Sequence, residues 1–269
     1  MNDKWKRRLW SAAKVLIIVY IGGGIILYFI QDLLLFHPTP LPMDHQFSFN
    51  QPFQELNIPV DDRNLNIVKF KTPGHRKGII LFFHGNMLNV EHYSKYPSLC
   101  TRNGYDFWMI DYPGFGKSTG KRSEAILYND ALLLYKEAVK EIEKDSIIIY
   151  GKSIGTGVAS YLASITQPKK LILETPYYSI SALARHYLPI YPVSLLTKYS
   201  FPIHDFLKKI KSGVTIFHGT NDKVVPYQQA TRLKKENNNI ELVTIQDGRH
   251  NNLAGFEVFQ KKLDSILKN

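Results

Sequence analysis

Six short runs, "GIILFFHG", "YDFWMIDY", "SIIIYG", "KKLILET", "GVTIFHG" and "IELVTIQ", most constrain what this 269-residue chain can become. Each is apolar or β-branched over most of its length, and each leads into a loop or a segment with helical patterning. A strand that is apolar on both faces must be covered on both, and such strands separated by helices form a parallel sheet between two helical layers. The expected fold class is α/β. Two further strand-like stretches, "FQELNIPV" and "LNIVKFKT", flank the turn-rich "DDRN" and predict a hairpin ahead of the parallel part. Helical periodicity is clearest in "EAILYNDALLLYKEAVKEIEK", where Ile126, Leu127, Ala131, Leu134 and Ala138 return to one face. "FEVFQKKLDSILK" closes the chain in the same manner. In open sheets of this kind ligands bind beyond the carboxyl ends of the strands, so chemistry is to be sought there.

The N-terminus has a different character. After Lys14, "VLIIVYIGGGIILYFIQ" runs seventeen residues without a charge, and "LLLF" follows Asp32. That is long enough to cross a bilayer core, which takes about 17 to 25 residues. Lys4, Lys6, Arg7, Arg8 and Lys14 against Asp3 place +4 of the net +11 in the first fourteen residues. Basic residues before an apolar span predict a cytoplasmic N-terminus, with the rest of the chain on the opposite side, periplasmic or otherwise extracytoplasmic in a bacterium. A cleaved signal peptide would end at a small-x-small site, which "LLLFHPTPLP" lacks. The expected organisation is a basic stub and transmembrane anchor over 1–36, a Pro-rich extended linker over 37–52, and a catalytic domain over 53–269. At 44% apolar residues that domain can bury a full core. Its lysines alternate with acids, as in "KEAVKEIEKD", which reads as a solvated face and argues against a nucleic-acid partner. With Cys100 the only cysteine, an internal disulfide and a cysteine-built zinc site are excluded.

"SIIIYGKSIGTGVAS" runs a strand into a glycine cluster around Ser153. A phosphate-binding GxxxxGK[ST] loop would need glycine at Ser146 or at Asp111, and a GxGxxG dinucleotide loop begun at Gly155 and Gly157 meets Ser160 at its third position. What fits without substitution is GxSxG, formed by Gly151, Ser153 and Gly155 between a buried strand and a helix. Such a turn holds the serine in a strained conformation, and side chains at the two glycines would collide with the neighbouring strand and helix. A serine hydroxyl is a weak nucleophile without a base, and the base needs a carboxylate to fix its tautomer. Asp222 lies in the loop after "GVTIFHG" and His250 in the loop after "IELVTIQ", giving the order Ser, Asp, His. Glu174, at the end of "KKLILET", is a rival acid, Asp247 reads as turn chemistry, and His84 and His218 read as structural. An oxyanion formed on attack needs backbone donors: Ile154, after the nucleophile, and Asn86 in the loop after "GIILFFHG", with Met87 as the alternative.

Taken together, "FFHGNM", "MIDYPGFGKSTG", "IYGKSIGTG", "LILETPY", "FHGTNDKVVP" and "DGRHNN" resemble the α/β-hydrolase superfamily over about residues 53 to 268. The resemblance is to its membrane-anchored branch akin to serine aminopeptidase-like hydrolases and protein depalmitoylases. It implies an eight-stranded, mostly parallel sheet with helices on both faces, a Ser153, Asp222, His250 triad, and no metal or organic cofactor. Asp111, Tyr112 and Gly116 would be architectural, and a short cap is expected near 177–206, where "YYSISALARHYLPIYPVSLLTKYSFPIHDF" is rich in tyrosine, leucine and proline. Pro113, where the common form has arginine, puts any salt bridge from that position in doubt, and the lipase-type HGGG loop is absent. The expected activity is hydrolysis of an ester, thioester or amide in an acyl-bearing substrate, such as a lipid ester, an acylated protein or a small ester. An acyltransferase with the same triad and a non-catalytic binding protein are the alternatives.

Overall fold

Residues 3–268 are described by the structure, a computed structural model. Helix α1 (Asp3–Leu35) runs unbroken through Gly22, Gly23 and Gly24; it is exposed up to Ile21 and partly covered from Gly22 onward. It is the one helix among the described residues long and apolar enough to cross a membrane.

The expected strands all form. They are β1 (Phe53–Val60), β2 (Arg63–Phe70), β3 (Gly78–Phe83), β4 (Tyr105–Ile110), β5 (Ile147–Lys152), β6 (Lys170–Glu174), β7 (Gly213–Gly219) and β8 (Ile240–Ile245). They lie in one sheet in the order β1-β2-β4-β3-β5-β6-β7-β8. Strand β2 pairs antiparallel with both β1 and β4, and all other neighbours are parallel. The sheet is therefore mixed at one edge and parallel across the rest, as the hairpin and the apolar runs require.

Because side chains alternate across a strand, each central strand feeds two cores. Ile79, Leu81 and Phe83 of β3 and Ile147 and Ile149 of β5 join one cluster, while Ile80, Phe82, Ile148 and Tyr150 join the other. The second face is covered by α2 (Tyr96–Thr101) and by the last helix. The first is covered by α3 (Glu124–Val139), α4 (Gly155–Thr166), α5 (Ile180–Tyr187), α7 (Ile203–Leu207) and α8 (Gln228–Leu233), with the short α6 (Val193–Leu196) between α5 and α7. Helix α9 (Glu257–Lys268) places Phe259, Leu263, Ile266 and Leu267 against the second face.

Two details of α3 differ from the periodic reading. It ends at Val139, where bonds tighten to a three-residue spacing: Lys140 N–H donates to Glu137 O (3.3 Å) and Glu141 N–H to Ala138 O (3.0 Å). Ile126 is only half-buried, and the core face instead includes Asp130, whose carboxylate takes two hydrogen bonds from Arg63 at 2.6 and 2.9 Å.

The segment after α1 is extended, as its prolines dictate, and it lies against the domain. His37–Pro38 pairs in parallel with Met87–Leu88; His37 N–H donates to Asn86 O (2.8 Å) and Thr39 N–H to Leu88 O (2.9 Å). Phe36 and Phe47 are buried.

A charged cluster sits inside this apolar frame. The Lys152 ammonium at the end of β5 donates to Glu174 Oε1 at the end of β6 (2.6 Å), and the Tyr96 and Tyr150 hydroxyls donate to the same carboxylate at 2.8 and 2.6 Å. Burial raises the Glu174 carboxyl, but Lys152 and the two hydroxyls outweigh it, and the net displacement is downward. A carboxyl lowered in the folded state adds stability above its unfolded value of about 4.3, and that stability is lost as pH falls through the folded value. The expected result is that Glu174→Gln lowers the melting temperature at pH 7 and that the gap to wild type narrows on acidification. Thermal unfolding from pH 7 to about 3 checks this; a gap that stays constant contradicts it.

Candidate active site

The strand-to-helix turn at β5 has the geometry its sequence predicts. Ser153 has φ +49°, in the left-handed region that a non-glycine residue enters at a cost of about 1 to 3 kcal/mol. Its two glycines are required by packing. A Cβ on Gly151 would meet Gly155 O and Ala159 of α4, and one on Gly155 would collide with the Phe83 and His84 carbonyls at the end of β3. The turn is thus pressed between strand and helix, with Ser153 at the carboxyl edge of the sheet.

Asp222 and His250 come to the same edge from the loops after β7 and β8. His250 Nε2 lies 2.9 Å from Ser153 Oγ, and His250 Nδ1 lies 2.8 Å from Asp222 Oδ2. With Nδ1–H donating to the carboxylate, Nε2 is left to accept from the serine hydroxyl. The other oxygen, Asp222 Oδ1, accepts from the Val224 and Val225 N–H groups, both at 2.8 Å. Burial alone would raise the Asp222 carboxyl, but hydrogen bonds from His218 and His250 and the Val225 N–H hold it well below the usual carboxylate range. It is a fixed negative charge behind the imidazole.

The loop after β3 runs beside the serine: a Cβ on Gly85 would fall 3.7 Å from Ser153 Cβ. Asn86 follows directly, and its carbonyl is tied to His37 N–H. Burial pushes the Tyr93 hydroxyl beside this loop up, opposed in part by the Met87 and Gly85 N–H groups. Ile154 is the N-cap of α4, and no side chain closes that helix end.

The remaining sequence candidates fall elsewhere. Glu174 is occupied by Lys152 and two tyrosines, while the imidazole bonds Asp222. Asp247, at φ +56°, donates its N–H to Thr220 Oγ1 in a turn. His84 is fully buried, with Nδ1 at 2.6 Å from Gly85 O and Nε2 at 3.3 Å from Asp111 Oδ1. Asp111 also accepts from Val90 N–H (3.0 Å), Tyr112 OH donates to His84 O (2.8 Å), and Gly116 packs on Asp111 with φ +47°. In place of a side-chain bridge from position 113, Arg122 donates to the Pro113 carbonyl at 2.6 Å.

One contributor was not singled out from the sequence, and a second was read there only as structural. Lys152, beside the serine, donates to the His250 carbonyl (3.1 Å) as well as to Glu174, and so links the serine turn to the histidine loop. Its signal was a lysine ending an otherwise apolar buried strand, since lysine is buried only when paired. His218 supports Asp222, with Nε2 at 3.4 Å from Oδ2 while it bonds Val225 O at 2.8 Å. The imidazole borders an open cleft of about 590 Å3 lined by Asn221, Lys223, Val224, Arg249, Asn251 and Asn252.

Comparison with known proteins agrees with this architecture. The profile of the family described as "Serine aminopeptidase, S33" matches residues 74–200, which include Asn86, Ser153 and Ile154. The human alpha/beta hydrolase domain-containing protein 17B is 31% identical over 197 residues, covering 71% of this chain and 66% of the relative. Protein 17C of Xenopus tropicalis is 29% identical over 202 residues, covering 73% and 63%. The chain thus spans just under two thirds of the length of these curated relatives. Among solved structures, an esterase from Pyrococcus furiosus superposes with a TM-score of 0.66 at 16% identity, over 86% of this chain and 98% of that one. Est1E from Butyrivibrio proteoclasticus does so with a TM-score of 0.64 at 19% identity, over 79% and 97%. Sheet order, serine turn and sequence similarity agree: the chain has the α/β-hydrolase fold and is similar to the serine aminopeptidase-like hydrolases.

Proposed function

We propose that the protein is a membrane-anchored serine hydrolase that cleaves an acyl ester or thioester through an acyl-enzyme. The observation that carries this reading is the pair of hydrogen bonds from Ser153 Oγ to His250 (2.9 Å) and from His250 to Asp222 (2.8 Å), on a serine held at φ +49°. His250 Nε2 takes the hydroxyl proton as Ser153 Oγ attacks the carbonyl carbon. The ionised Asp222 stabilises the imidazolium, and the Asn86 and Ile154 N–H groups receive the developing oxyanion. His250 returns the proton to the leaving alcohol or thiol, and water, activated by the same imidazole, releases the acid.

Ester or thioester is favoured over a peptide with a free amino terminus. An ammonium group needs a carboxylate partner, and the cleft beside His250 is lined by Lys223, Arg249 and three asparagines, with no acid among those lining residues. The acyl-bearing substrate is placed at a membrane by α1, whose basic first turns put the N-terminus in the cytoplasm and the domain across the bilayer.

Ser153→Ala is expected to abolish labelling by a fluorophosphonate probe and to lower kcat/KM on p-nitrophenyl esters by about 10^3-fold or more, while the melting temperature is retained; Asp222→Asn is expected to lower kcat by about 10^4-fold. Equal labelling of wild type and Ser153→Ala rejects the nucleophile. Activity rising with acyl length points to lipid or acyl-protein substrates, and the recovered product, free acid against acylated acceptor, separates hydrolysis from acyl transfer. For topology, a C-terminal alkaline phosphatase fusion is expected to be active and a C-terminal green fluorescent protein fusion dark in a bacterial host; the reverse pattern contradicts the orientation.

A further inference from the structure

Helix α1 does not stand clear of the domain: its second half packs on residues 190–199, within the segment expected to form a short cap. Tyr20 stacks on Tyr191 with ring centroids 4.8 Å apart and donates its hydroxyl to Ile190 O at 2.7 Å. Gly23 and Gly24 leave room for the Tyr191 ring, which a Cβ on Gly23 would strike. Two turns further on, the Gln31 side chain donates to Leu196 O (2.8 Å) and accepts from Lys198 N–H (2.8 Å), and Tyr199 OH donates to Asp32 (2.6 Å).

These contacts fix how deep the cap sits. Lys198 lies over the Tyr28 and Phe29 rings, 4.9 and 5.7 Å from their centroids. With Gln31 and Asp32 next in sequence, this is the lysine-and-tyrosine composition of a membrane interface. The opposite interface is marked by Trp10 and Lys14, the lysine 5.5 Å from the Trp10 ring. Eighteen residues separate Trp10 from Tyr28, about 27 Å at 1.5 Å per residue, close to the ~30 Å of a hydrocarbon core. Tyr20 is eight residues inside the Tyr28 boundary, about 12 Å, and it holds Tyr191 and Ile190 at its own depth.

The cap is built for that position. "YLPIYPVSLLT", residues 187 to 197, carries no charge between His186 and Lys198. Ile190 is 71% exposed and Leu195 81% exposed, although both are large and apolar. Backbone groups in hydrocarbon must be satisfied internally, and here Pro189 and Pro192 have no N–H to satisfy. The N–H groups of Leu188, Tyr191, Val193, Leu195 and Thr197 donate to Ala184, Leu188, Tyr191, Pro192 and Val193 carbonyls at 2.8 to 3.1 Å.

We infer that cap residues 187–197 are immersed beside α1 in the outer half of the bilayer, with lipid acyl chains covering Ile190 and Leu195. This rests on the anchor reading of α1 and goes beyond it, because a plain anchor would leave the cap in water. The same cap reaches the active site: the Tyr187 hydroxyl donates to the carbonyls of Lys223 and Val224, directly after Asp222. A cap sunk in lipid brings the cleft beside His250 down to the membrane surface.

The test uses the full chain in phosphatidylcholine vesicles, with the environment-sensitive dye NBD on one added cysteine at a time; native Cys100 is fully buried. The variants are Ile190→Cys and Leu195→Cys in the cap, Ile18→Cys in α1, and Lys261→Cys on exposed α9. The expected result is that cap labels emit blue-shifted and are quenched at least twofold by lipids carrying a doxyl group on the acyl chain, as at position 18, and resist aqueous iodide. The label at 261 should do the opposite. Cap labels that behave like 261 while 18 is quenched overturn the inference and leave the anchor intact. A blue shift without doxyl quenching assigns the patch to a second copy or another protein and overturns it equally. If position 18 also escapes doxyl quenching, the anchor reading itself fails and takes this inference with it. Ester hydrolysis by Ile190→Cys and Leu195→Cys in detergent, at wild-type rate, shows that the cysteine variants are folded.

Discussion

Everything at the carboxyl edge of the sheet depends on holding Ser153 at a backbone angle it would not choose. At φ +49° the residue stores energy that its surroundings must hold, and they do so from three sides. Gly151 and Gly155 let α4 and the end of β3 close to contact around the turn. The Ser153 N–H donates to the Glu174 carbonyl at 2.9 Å, which ties the turn to β6. On the residue before it, Lys152 is held by the Glu174 carboxylate. The strain is thus opposed by the best-buried strands of the molecule, so the serine is presented outward without freedom to relax.

The same network couples serine and histidine through something other than their own hydrogen bond. Lys152 takes the Glu174 carboxylate in one direction and the His250 carbonyl in the other, so a charge buried under the serine fixes the loop that carries the imidazole. Glu174 has the right sequence position to compete with Asp222 for the imidazole, yet it is removed from competition by three donors of its own. Two buried carboxylates at neighbouring strand ends are kept in separate roles by their partners: Lys152 and two tyrosines for Glu174, two histidines and two backbone N–H groups for Asp222. Neither can trade its role with the other unless a whole partner set moves.

This also explains what could and could not be read from the sequence. The strands were legible because period-2 burial on both faces leaves a continuous apolar run. The serine turn was legible because its sterics demand glycine at fixed offsets. Asp222 and His250 were legible by position, each just past a strand. Lys152, Asp130 and Gly23 were not, because their meaning depends on residues far along the chain. Asp130 breaks the apolar face of α3 because Arg63, on the edge hairpin, reaches it. Gly23 is small because Tyr191, 168 positions later, needs the space. Local periodicity reports which face is buried and carries no information on which partner buries it.

The chain leaving α1 meets the domain twice, and both meetings bear on the proposed site. Residues 190–199 grip α1 through the Tyr20–Tyr191 stack and the Gln31 side chain, and residues 37–39 then pair with the loop that carries Asn86. A flexible tether would hold a hydrolase near a bilayer at a high effective concentration but in random orientation. Here the segment joining helix to domain has no slack: Phe36 is buried immediately after the helix ends, and the next residue is already hydrogen-bonded to Asn86. The orientation of the cleft relative to α1 is therefore set by packing, and with α1 as the proposed anchor its height above the lipid is set as well. On the proposed reading, a substrate whose acyl chain stays in the membrane meets a carbonyl-binding site at one fixed depth. Selection would then act on how far the scissile bond lies from the hydrocarbon boundary, and the exposed lining of the cleft would contribute less.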